Sequence, residues 1–212
     1  MAADLGGLSE LKEDALQRAV GGALARVTGL QPAGKGQHLH APWFARKVGT
    51  CDVTLVDDQG VAACAFELKW GLSDDDREQV AAVVYDVFKL AVLPGDRRCQ
   101  LGALVLGAPV SLWDPEGEPT GPAGKLLALL HGGRPAEREE LVEASRYCGR
   151  DREWDWWSAF YPDRPEPTVI PAIELRQLAA APIADASSTW LLGCITVAPA
   201  RAQLETEEEK AT

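Results

Sequence analysis

The chain is expected to fold as an α/β domain, a central mixed β-sheet flanked by helices, and three features lead to that expectation. Residues 49–71, GTCDVTLVDDQGVAACAFELKWG, read as two apolar strands folded back on each other at a polar turn. An amphipathic helical pattern follows at once over 72–93, and a short, continuously apolar run at 100–110 comes next. Strands interleaved with helical segments build layered sheets covered by helices.

Taken in order, residues 8–27 place Leu8, Leu11, Ala15, Leu16, Ala19, Ala23, Leu24 and Val27 at three- and four-residue steps, the pattern of a helix with one buried face. Ser9 is positioned to cap it, although Lys12 stands where a capping box would carry Glu. Residues 34–37 break the pattern, and HLHAPWFARKV (38–48) is expected as an edge or bulged strand because Pro42 cannot donate to a ladder. In the helix over 72–93, Ser73 is the expected N-cap and three aspartates sit near the positive end of the helix dipole. Val80, Val83, Val84, Val87 and Ala91 form its buried stripe. Pro94-Gly95 ends it, and QLGALVLGAPV (100–110) fits a strand covered on both faces.

The second half is less regular. Residues 125–130 and 137–147 read as helices, 162–171 as a proline-rich crossing, and TWLLGCITVA (189–198) as a late strand. With no internal repeat or low-complexity linker, residues 1–199 are read as a single domain with its core at about 8–110 and an irregular elaboration over 111–199. Residues 200–212 are an acidic tail expected to be disordered.

The bulk composition narrows the class. At 212 residues and 46% hydrophobic content the chain can bury a real core. Neither a signal peptide nor a run of eighteen apolar residues is present, so the expectation is a cytoplasmic protein without a membrane partner. Five cysteines, scattered and never spaced C-x-x-C, argue against a disulfide framework and a zinc ribbon. The net charge of −11 argues against a free-standing, non-specific nucleic-acid binder but leaves open a local basic groove or a protein partner that supplies one.

The hairpin poses the chemical question. Strand side chains alternate, so Glu67 and Lys69 share a face with Val61, Ala63 and Ala65, while Phe66, Leu68 and Trp70 take the other. A turn that pairs residues whose numbers add to 119 sets Asp52 opposite Glu67; a register adding to 117 leaves Glu67 one diagonal step away. A three-residue loop without a compensating bulge would separate the two acids. Two carboxylates about 4 Å apart repel by roughly 4 kcal/mol at an effective dielectric near 20. A shared proton, a fixed cation such as Lys69, or a divalent metal could offset this, and Ala63 and Ala65 are small enough to leave room for a metal with its waters.

Asp52, then fourteen residues, then Glu67-x-Lys69, in a helix–strand–strand–strand–helix–strand order, resembles the PD-(D/E)XK nuclease superfamily, with its restriction-endonuclease-like α-β-β-β-α-β core. The resemblance covers about residues 8–110. It implies a nuclease that hydrolyses nucleic-acid phosphodiester bonds, with Mg2+ (or Mn2+) held by Asp52, Glu67 and the carbonyl of Leu68. Lys69 would orient a water or stabilise charge on phosphorus. The family's opening Pro is replaced by Cys51. An acidic residue on the first helix occurs in some branches, and Glu10 or Glu13 could serve; with Asp14 and Gln17 they also fit a solvated face opposite the leucine stripe. The exonuclease branch carries Gln-x-x-x-Tyr on the second helix. Here Gln79 is followed at that spacing by Val83, and Tyr85 falls two positions late, so Gln79 is an auxiliary candidate lining, with Asp86 and Lys89, one side of that helix. The competing class is a non-catalytic interaction module on the same fold, such as an immunity or accessory subunit, which the acidic charge favours.

Other signals point less far. His38 and His40 share a strand face, yet no nearby carboxylate completes a usual zinc-hydrolase set. GPAGKLL near 121 lacks the glycine, the following Ser or Thr and the preceding strand of a phosphate loop. The segment RDREWDWW (150–157), with Phe160 and Tyr161, could stack on bases, but a short helix packing its tryptophans is the plainer account. Arg46-Lys47, Arg97-Arg98 and Arg146, Arg150, Arg152 are the few basic clusters able to touch phosphate, and scattered surface charge is the plainer account of each.

Overall fold

Asp57 opens the turn that decides the register of the sheet. The computed structural model describes residues 13–34, 39, 50–95, 99–113, 118–119, 121–131, 135–137, 140–141, 173–184 and 189–199. In it, Asp57 Oδ1 accepts hydrogen bonds from the backbone N–H groups of Gln59 (3.0 Å) and Val61 (2.8 Å). The N–H of Asp57 donates to the carbonyl of Val61 (2.9 Å), and Gly60 adopts a left-handed φ of 77° that suits a residue without a Cβ. This closes a three-residue loop, which alone would turn Asp52 and Glu67 to different sides. A register shift between Leu55 and Val56 compensates: Val56 faces Ala62, but Leu55 faces Cys64, Thr54 faces Ala65 and Val53 faces Phe66. The register adding to 119 is therefore reached through a bulge.

In chain order the elements are α1 (Glu13–Thr28), β1 (Gln31–Pro32), β2 (Val53–Val56), β3 (Ala62–Trp70), α2 (Arg77–Gly95), β4 (Leu101–Pro109), α3 (Val110–Trp113), α4 (Pro122–His131), β5 (Ile173–Ala184) and β6 (Thr189–Pro199). They build an α/β fold around one six-stranded mixed sheet in the order β1-β2-β3-β4-β6-β5. β3 and β4 are parallel, joined through α2, and the other neighbours are antiparallel. No helix among the described residues is long and apolar enough to cross a membrane.

Strand alternation sends side chains to two cores. Val53, Leu55, Phe66, Leu68, Trp70, Ala103, Val105 and Trp190 pack beneath α1, together with Leu16. Ala65, Leu104, Leu106, Ala108, Ile195 and Val197 face the other way, against α2 and α4. The expected stripe of α2 is buried throughout, and Phe88, Leu90 and Leu93 are buried too, because Leu126, Leu127 and Leu130 of α4 close over its far side. On the α1 side Trp70 and Trp190 stack with ring centroids 5.0 Å apart.

Two expectations need correction, and two strands were not anticipated. The buried face of α1 runs through Leu16, Val20, Gly21 and Leu24, whereas Ala19, Ala23 and Val27 are exposed: the helix is rotated toward Gln17, and Gly21 lets it settle near Val53. A two-residue strand, β1, pairs with Val56 and Leu55, and the strand expected over 38–48 lies, Leu39 apart, outside the described residues. α2 begins at Arg77, capped by Asp76, whose Oδ1 accepts from the N–H of Gln79 (2.9 Å), while Ser73 only braces the preceding turn through the N–H of Asp75 (3.2 Å). β5, unanticipated, pairs with β6 along nearly its whole length. The helix over 125–130 is α4, and 189–198 is β6; Glu10, His38, His40, 150–161 and the tail lie outside the described residues.

Candidate functional site

The end of β2 creates the site. Ala63 on β3 and Gly71 just past its end direct their backbone polar groups toward the β4 side, bonding the N–H of Gln100 (2.9 Å) and the carbonyl of Gly107 (3.1 Å). Backbone groups alternate along a strand, so Leu68 points its N–H and carbonyl the opposite way, toward β2, which begins only at Val53. Asp52 fills the missing rung: its Oδ2 accepts the N–H of Leu68 at 2.9 Å. The Leu68 carbonyl, outside the ladder, accepts from Lys69 Nζ at 3.3 Å.

α2 runs back along β3 and lays a polar strip over the face that carries Glu67 and Lys69. Gln79, Asp86 and Lys89 stand at steps of seven and three residues, two turns and then nearly one. Gln79 Nε2 donates to the carbonyl of Trp70 at 2.8 Å, which ties the start of the helix to the end of the strand. Asp86 takes Lys69 Nζ on Oδ2 (3.2 Å) and Lys89 Nζ on Oδ1 (3.1 Å). Lys89 Nζ reaches Glu67 Oε1 at 2.6 Å and the carbonyl of Thr50 at 3.5 Å. The room left by Ala65 is taken by the helix, since Ala65 is fully buried in the α2 core.

The electrostatics follow from depth. Glu67 is 2% exposed and Lys89 4%. Burial pushes the Glu67 carboxyl well up from its ordinary range, Asp86 and Asp52 push it further, and Lys89 pulls against them. Burial alone would push Lys89 down, but Asp86 and Glu67 more than offset this and hold the ammonium protonated. Cys51, in the place before Asp52, is raised first by burial and then by the neighbouring carboxylate of Glu67.

Asp52, Glu67, Leu68 and Lys69 are thus gathered at one end of β3, and Gln79 serves the same strip by anchoring α2. Glu13 opens α1, the helix on the opposite face of the sheet. The sequence placed Asp86 and Lys89 on the correct side of α2 but gave no sign that Lys89 reaches Glu67. Helical spacing reports direction around the axis, and the depth came from α4 covering the other side.

For a hard divalent cation the fit is favourable on one count and contested on another. Glu67 Oε1 is buried and, among the described residues, receives no hydrogen bond of ordinary geometry; its neighbour is an ammonium in ion-pair contact. Carboxylate and carbonyl oxygens of Asp52, Glu67 and Leu68 are the donor types that Mg2+ takes. No group of three or more Asp, Glu, His or Cys side chains arranged to hold a metal occurs among the described residues, so a cation here would rely on the Leu68 carbonyl and on water to complete its shell. Comparison with family models, with curated proteins and with solved structures finds no match to this chain.

Proposed function

We propose that the protein is a metal-dependent phosphodiesterase acting on nucleic acid, with a PD-(D/E)XK-like, restriction-endonuclease-like core formed by α1, β1, β2, β3, α2 and β4. The observation that carries this reading is the capping of Leu68 N–H by Asp52, which brings the Asp52 carboxylate, the unladdered Leu68 carbonyl and the Glu67-x-Lys69 pair to the same strand end. The strand order β1-β2-β3-β4, with its single parallel pair, agrees with the core that the sequence resemblance implies.

Asp52, Glu67 and the Leu68 carbonyl would hold Mg2+ or Mn2+, which when bound supplies Lewis acidity toward a phosphodiester oxygen and lowers the pKa of water. Asp52, more exposed than Glu67, stands at the mouth of the site and fixes the strand end through Leu68. Lys69 keeps an ammonium beside that mouth and stabilises the extra negative charge on the phosphoryl oxygens as water adds to phosphorus and gives up a proton to solvent. The bond to the leaving sugar oxygen then breaks, and that oxygen takes a proton from solvent. Asp86 keeps Lys69 from folding away.

A second reading is favoured by the 2.6 Å Lys89–Glu67 contact together with the net charge of −11: a non-catalytic interaction module in which the ammonium permanently fills the cation's place. Cleavage of plasmid, linear duplex, single-stranded DNA and RNA in millimolar Mg2+ or Mn2+, with a thermal shift on adding either ion, separates the two. Cleavage lost in Glu67→Gln and Lys69→Ala supports the enzyme. A folded wild-type chain that neither gains stability from the ions nor cuts any of these substrates supports the module.

A further inference from the structure

We propose that Lys89 is an internal competitor for the divalent cation: its ammonium occupies Glu67 until a metal ion arrives, and Asp86 is the acceptor that retains it afterwards. The inference rests on the metal-site reading above and adds two residues that the Asp…Glu-x-Lys motif does not contain.

Three observations converge on it. Lys89 Nζ lies 2.6 Å from Glu67 Oε1 but also 3.1 Å from Asp86 Oδ1, so it already has both carboxylates within reach and can leave one without losing the other. The remaining oxygen of Asp86 carries Lys69 at 3.2 Å, so Asp86 ties both ammonium groups to one side chain. Glu67 Oε1 has no hydrogen bond of good geometry among the described residues that would have to be broken besides the ion contact itself. Two cations cannot both sit on one buried carboxylate without strong mutual repulsion. A shift of Lys89 toward Asp86 is the small movement that relieves this.

The consequence is a site whose metal affinity is set by an amine 22 residues further along the chain than the carboxylate it guards. The Lys89 side chain would make the site respond only to a cation of high charge density. A monovalent ion, carrying no more charge than the ammonium, gains little by replacing it.

The test uses the full chain and reads binding, not cleavage. Mn2+ and Mg2+ are titrated by calorimetry, and melting temperature is followed by circular dichroism, for wild type, Lys89→Met, Asp86→Asn and the double variant. Removing the competing ammonium should tighten Mn2+ binding by at least about tenfold and enlarge the metal-induced rise in melting temperature, because one unit charge at contact distance outweighs that factor at any plausible interior dielectric. Asp86→Asn should weaken Mn2+ binding by a larger factor when Lys89 is present than when it is Met, which isolates the retaining role from the simple loss of a negative charge. Wild type binding Mn2+ with Lys89→Met binding equally or more weakly overturns the proposal and leaves the metal site standing. Metal binding by Lys89→Met alone shows an ammonium that does not give way to the ion, which overturns the displacement and favours the non-catalytic module. Silence from every variant removes the metal reading and the proposal together. Should Lys89→Met fail to fold without metal, refolding on adding Mn2+ supports the competition, and an unchanged Mn2+ affinity in Asp86→Asn refutes it.

Discussion

Lys89 Nζ and Glu67 Oε1 lie 2.6 Å apart, with hardly any water at either group, where helix α2 crosses strand β3. A buried ion pair of this kind is weak evidence for stability as a whole but makes each partner dependent on the other. Lys89→Met should cost about 3–5 kcal/mol in urea denaturation, since it strips the buried Glu67 carboxylate of its cation, and Glu67→Gln should cost less because Asp86 still pairs with Lys89. The double variant should recover most of the loss. Additive losses would show that the two side chains do not interact in solution.

Asp52 is predicted to have separable structural and chemical parts. Asp52→Asn keeps an oxygen able to accept the N–H of Leu68, so stability should change little, while any metal response disappears. Asp52→Ala leaves that N–H without its acceptor and should cost about 1–3 kcal/mol in addition. Equal stability of the two variants would mean that the 2.9 Å hydrogen bond contributes nothing.

Gly107 lies across the β3–β4 ladder from Trp70, and a Cβ there would stand inside the Trp70 ring. The indole is held in place by its stack on Trp190, so it has little freedom to retreat. Gly107→Ala should cost about 1–3 kcal/mol from overpacking and change the near-ultraviolet circular dichroism of the tryptophans. A variant with native spectrum and midpoint would show that the sheet relaxes there.

The thiols give a pH dependence of known sign. Burial pushes Cys99 up from 9.0 to about 11, and burial followed by the Glu67 carboxylate pushes Cys51 up further. Folded protein therefore holds these protons more tightly than the unfolded chain does, so their contribution is complete below pH 9 and is lost as the pH climbs from 9 through 11. Urea midpoints should fall over that range and fall less steeply in Cys99→Ala. At pH 8 neither Cys51 nor Cys99 should react with a disulfide reagent until the chain is unfolded.

How much of this was legible in the sequence varied with the kind of information each feature needed. Val80, Val83, Val84, Val87 and Ala91 announced the buried stripe of α2 because periodicity alone specifies a face. The position of Asp52 opposite Glu67 was one of several open registers, and what selected it, the shift between Leu55 and Val56, has no local signature in VTLVDD. β5 was missed because IELRQLAAAPIA is rich in alanine and holds a proline; its strand state comes from pairing with β6, a tertiary influence that outweighs propensity. α1 was rotated in the reading because Ala19 and Ala23 count as apolar, yet a glycine, Gly21, packs closer to the sheet than either.

The shift between Leu55 and Val56 also makes the hairpin a counting device. The loop supplies an odd number of residues and the bulge cancels the parity, so the two acids meet only while both irregularities are present together. Deleting one residue from 58–60, far from any charge in the cluster, would present Asp52 to the tryptophan side of the sheet unless the bulge vanished as well. Length changes at this surface loop are therefore expected to be tolerated in twos and penalised in ones.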